Sequence, residues 1–94
     1  MKDNLEGMRE IINNIPSEKF DSHEFIRKFS WNYEPEYVGF LNNYVKDHFQ
    51  NVNKQMGKFL SENKELLKIE DAGVVSSPNV FGNVTENELW HKVK

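Results

Sequence analysis

Residues 49–60, Phe-Gln-Asn-Val-Asn-Lys-Gln-Met-Gly-Lys-Phe-Leu, constrain this chain more than any other stretch. Phe49, Val52, Met56, Phe59 and Leu60 fall within roughly a 100° arc at about 100° per residue, which is one face of an α-helix. Asn51, Lys54, Gln55 and Lys58 lie opposite them. The pattern predicts a helix anchored by its hydrocarbon side, with amide and ammonium donors turned to solvent.

Other helices are signalled upstream. Asp3 followed by Glu6 resembles a capping box, and Leu5, Met8, Ile12 and Ile15 then recur at helical spacing, with Ile11 on the flank, until Pro16 stops the run. This N-terminal helix, within residues 1–15, is compatible with packing on the domain or with an appended arm. Asp21 as N-cap places Glu24 at the third helical position, and Phe20 and Phe25 have the spacing of a hydrophobic staple. Phe25, Ile26 and Phe29 would face the core, with an end expected near Ser30 or Trp31. Pro35 suits the first turn of a further helix whose inner stripe would be Tyr37, Val38, Leu41, Tyr44, Val45 and His48. Gly39 and Gly57 each cost about 1 kcal/mol in a helix relative to Ala. Close approach of packed helices would account for them, as would simple tolerance.

After Asn63 the composition shifts. Leu66, Leu67 and Ile69 suit a short strand, residues 70–73 a turn, 76–79 a loop and Gly82-Asn83 another turn, with Leu89–Val93 as the most strand-like piece. Helices followed by strand, loop and strand define the expected fold class: mainly α with a small β-hairpin, winged-helix-like, built from three to four helices plus a wing. The expected organisation is a single domain, 1–94, with a helical core over 21–62 and the wing hairpin over 66–93. At this length roughly 60–65% of the unfolded surface can be buried, enough for one core.

Composition excludes several classes of function. There is no cysteine, so neither disulfides nor thiol chemistry nor cysteine-ligated zinc is available. No apolar run approaches 18 residues and no signal peptide is evident, so a cytoplasmic location away from membranes is expected. No Gly-rich phosphate loop or nucleophile motif occurs, and His23-Glu24 lacks the second His of a zinc helix. His23, His48 and His91 are scattered, so no catalytic residue, metal ligand, cofactor or small-molecule substrate is predicted. The net charge of −3 is uneven: residues 49–68 hold Lys54, Lys58, Lys64 and Lys68 against Glu62 and Glu65. Asn and Gln can pair with adenine edges, and Lys can reach phosphate or guanine. The candidate nucleic-acid-binding residues are therefore Asn51, Lys54, Gln55, Lys58, Lys64 and Lys68, with double-stranded DNA as the partner. Any solvated helix face also contains such residues. The alternative partner is a protein, met through aromatics outside the helical stripes (Trp31, Tyr33, Phe40, Phe81 and Trp90) wherever these are exposed together.

Gly57-Lys58-Phe59-Leu60, Gly73-Val74, Asn79-Val80-Phe81-Gly82-Asn83 and Leu89-Trp90 together resemble the end of the winged-helix domains of phage, plasmid and mobile-element primase-helicases. The resemblance covers about residues 45–93. It implies nucleic-acid binding through the helix bearing Asn51, Lys54, Gln55 and Lys58. The wing is poorer in Lys and Arg than that pattern, and no ATPase domain is present.

Overall fold

The computed structural model describes residues 1–93. It has five helices and a three-stranded antiparallel sheet. The order is α1 (Leu5–Asn14), β1 (Lys19–Asp21), α2 (Ser22–Asn32), α3 (Glu34–Leu41), α4 (His48–Glu62), α5 (Lys64–Leu67), β2 (Ile69–Pro78) and β3 (Val84–Lys92). The architecture is thus helices plus a hairpin, with more helices than the sequence suggests and a third strand that it does not signal.

α1 begins after a 3-10 turn at Lys2–Asn4 and has no side-chain cap, so the Asp3–Glu6 capping box does not form. The helix is part of the domain, since Met8, Ile11, Ile12 and Ile15 are all buried in the core. The start of α2 matches its signal: Asp21 accepts a hydrogen bond from the Glu24 N–H at 2.8 Å, and the Phe20 and Phe25 rings lie 6.5 Å apart. α3 is shorter than its proposed stripe. It ends at Leu41, Tyr37 is its one buried residue, and Val45 is 99% exposed in the loop that follows. That loop reverses the chain at Asp47, whose φ of +52° prevents one continuous helix from running through Tyr44, Val45 and His48. His48 instead turns its ring back to the Leu41 and Val45 carbonyls.

α4 confirms the organising stretch as helix. Val52, Met56 and Leu60 are fully buried, whereas Phe49 at its first turn is 43% exposed. Downstream, Leu66 and Leu67 belong to the short helical turn α5, closed by Lys68 at φ +58°, so the hairpin begins at Ile69 rather than residue 66. Residues 70–73 and 76–78 are not connections but β2 itself. The turn chemistry of Asp71-Ala72-Gly73 makes a bulge, with a register shift between Asp71 and Val74 and Gly73 at φ +110°. The hairpin reverses at Asn79–Asn83.

The sheet order β1-β3-β2 places β3 centrally, pairing Phe20 with Trp90 on one side and Asp71 with Trp90 on the other. Trp90 is 1% exposed and sits among Phe20, Phe25, Phe29, Met56 and Leu60 in one core cluster. Close approach does not explain Gly39 or Gly57, because a Cβ at either would meet nothing within 4 Å. Gly7 is the close contact, where a Cβ would lie 2.9 Å from the Tyr33 ring.

Candidate functional site

A groove of about 480 Å³ runs between the start of α2, one side of α4 and the hairpin turn. Helical spacing determines what α4 offers it. Gln50, Asn53, Lys54, Gly57, Lys58 and Ser61 recur at three- and four-residue intervals and share one side, so all of them line the groove. Ser22, His23 and Ile26 of α2 form the wall opposite, and Val80, Phe81, Asn87, Glu88 and Trp90 come from the hairpin.

Polar contacts fix that geometry. The Trp90 indole N–H donates to the buried Ser22 hydroxyl at 2.9 Å. The His23 N–H donates to Asn87 Oδ1 at 2.9 Å, and its ring nitrogen Nδ1 donates to the Ser77 carbonyl at 3.0 Å. With that tautomer Nε2 is left to accept from the Thr85 hydroxyl at 3.4 Å. Asn87 Nδ2 donates to Ser77 Oγ at 2.9 Å. These bonds tie both hairpin strands to the first turn of α2, so the hairpin stands at a set angle to α4. His23 therefore has a structural task, one that its isolation in sequence does not reveal.

The six residues singled out from sequence do not converge. Lys54 and Lys58 are exposed and line the groove together. Gln55 lies round the helix beside Phe59 and Glu62. Asn51 is half-buried, and its Nδ2 donates to the Lys46 carbonyl at 3.2 Å. Lys64 is paired with Asp71 at 2.8 Å, which raises the Lys64 pKa and lowers that of Asp71. Lys68 lies with Ile69 and Val93 at a separate surface. Gln50, Asn53 and Ser61 do line the groove; the signal for them was helical spacing, with Gln50 four residues before Lys54, Ser61 three after Lys58 and Asn53 four before Gly57. Asn53 is half committed, since its Oδ1 accepts from the Tyr37 hydroxyl at 2.6 Å. Burial raises the Tyr37 pKa, with the Asn53 bond opposing.

Charge in the groove is mixed. Neither Lys54 nor Lys58 makes an ion pair among the described residues. Glu88 is the opposing carboxylate. Its pKa is raised, first by a hydrogen bond to Asp71, then by burial and by the Asp71 charge. The two carboxyls share a proton more readily than either would alone, which moderates the negative charge Glu88 brings to the groove as pH falls toward the carboxylate range.

The aromatics separate into two populations. Tyr33 and Phe40 stack on Phe29 at 5.4 and 6.0 Å and, with Trp90, complete the core. Trp31 and Phe81 are 69% and 57% exposed but line different depressions, so they form no common patch. Among the described residues no cluster of three or more His, Asp or Glu is placed to hold a metal ion, and no helix is long and apolar enough to cross a membrane. No family model, curated protein or solved structure matches the chain.

Proposed function

We propose that the chain is a winged-helix module that binds double-stranded DNA without catalysis, presenting the groove side of α4 to the duplex with the β2–β3 hairpin as its wing. The observation that carries this reading is the pairing of Lys54 and Lys58 on one exposed helix side, both free of ion pairs among the described residues, beside a hairpin locked to α2. The element order supports it as well. A helix, a short strand, further helices and a terminal hairpin whose last strand takes up the short one is the arrangement expected of a winged helix. Lys54 and Lys58 would meet phosphates, and Gln50 and the free amide of Asn53 would reach base edges. With Gln55, Lys64 and Lys68 directed elsewhere, the proposed contact set contracts to Gln50, Asn53, Lys54 and Lys58.

A specific observation favours protein contact instead. Trp31 stands exposed beneath the Arg27 guanidinium, 6.0 Å from the ring centroid, away from the groove. Salt separates the two readings. Fluorescence anisotropy of a labelled duplex at 50 and 200 mM salt should show affinity falling by roughly 10- to 40-fold, as two to three phosphate contacts require. A salt-insensitive affinity, or no binding at the lower salt, would overturn the DNA reading.

A further inference from the structure

An exposed aromatic at the mouth of the groove does nothing for a phosphate backbone. Phe81 projects from the hairpin turn with its ring 5.2 Å from Phe49 in an edge-on arrangement, and it remains 57% exposed. Its position is preset. Asn79 Oδ1 accepts from the backbone N–H groups of Phe81 and Asn83 at 2.9 and 3.1 Å, and the Asn79 carbonyl accepts from the Gly82 N–H at 2.9 Å. Gly82 supplies the φ of +84° that the turn requires. A rigid turn that holds a large apolar ring in water is a preorganised contact, because little freedom remains to be lost when the ring is covered.

Lys54 and Lys58 line the same groove. Cations that follow a backbone, set beside an aromatic ring, make the arrangement that receives single-stranded nucleic acid. Intact duplex cannot use the ring, since its base faces are stacked on each other and only the edges are open in the grooves. We infer that this mouth takes unpaired bases adjoining a duplex, with a base stacked on Phe81 and its phosphates on Lys54 and Lys58. The inference rests on the nucleic-acid reading and narrows its substrate to a duplex end or junction with a single-stranded extension.

The test uses the full chain and three fluorescent probes: a blunt duplex, the same duplex extended by a short thymidine tail, and single-stranded oligothymidine. The tailed duplex should bind roughly 5- to 150-fold more tightly than the blunt one, the range for stacking one base on an aromatic side chain. Phe81→Ala should remove that advantage, so that the variant binds the tailed duplex no more tightly than the blunt one, whereas Phe81→Trp should retain it. Equal binding of tailed and blunt duplex by the unmodified protein overturns this inference alone. So does an advantage that survives Phe81→Ala, or self-association through Phe81 without any tail preference. Failure to bind all three probes overturns both this inference and the reading beneath it.

Discussion

Reversing two charges together, Lys54→Glu with Lys58→Glu, is expected to abolish duplex binding and leave the fold in place. The change moves the groove by four charge units, and at about 1 kcal/mol per close charge contact in water the loss approaches a thousandfold. Both side chains are exposed and neither makes an ion pair among the described residues, so little folding free energy depends on them. The new like-charge pair at i, i+4 costs only about 0.2–0.5 kcal/mol. Anisotropy titration and thermal unfolding of the same sample check both halves. Retained affinity in a folded double variant would remove α4 as the contact surface.

The largest effect on stability is expected at Trp90, where the sheet meets the helices. Trp90→Ala should cost about 3–5 kcal/mol, a large fraction of the roughly 5–15 kcal/mol that holds a domain together. For a domain of this size the unfolding midpoint should fall by about 12 °C or more. Packing is only part of that cost, because the indole N–H also satisfies the buried Ser22 hydroxyl. Trp90→Phe separates the two contributions: it keeps most of the ring volume but leaves Ser22 without its donor, for roughly 1–3 kcal/mol. Calorimetry of both variants measures the difference. A Trp90→Phe protein as stable as the original would mean that the hydroxyl finds water or another partner.

The helical part of the architecture was legible because its signals are local. The Asp21 cap and the Phe20–Phe25 staple are settled by residues a few positions apart, and α4 follows from the helical period of its own apolar residues. The errors in the sheet lie where a distant partner decides. β1 has only three residues and exists because β3 pairs with it, a contact across some 70 positions that propensity does not encode. Asp71-Ala72-Gly73 carries turn chemistry, yet pairing with β3 draws it into a strand and leaves a bulge. At Asp47 a single positive φ splits what reads as one apolar stripe.

The site was half legible for a related reason. Helical period alone puts Lys54 and Lys58 on the exposed side of α4, where both line the groove. Asn51 and Gln55 also point away from the core, but the hairpin lies along only one side of α4, and nothing local to residues 49–60 tells which. Lys64 was a free cation in sequence and became half of an ion pair once the β2 bulge brought Asp71 to it.

One side of α4, together with the hairpin turn, is the proposed contact surface. Backbone amide shifts recorded while the isotope-labelled protein is titrated with duplex DNA test it most directly. Perturbations should be confined to Gln50, Asn53, Lys54, Gly57, Lys58 and Ser61 and to the turn at Asn79–Asn83, with Gln55 and Lys68 unmoved. Perturbations centred instead on Arg27 and Trp31, or a spectrum that duplex leaves unchanged, would contradict it.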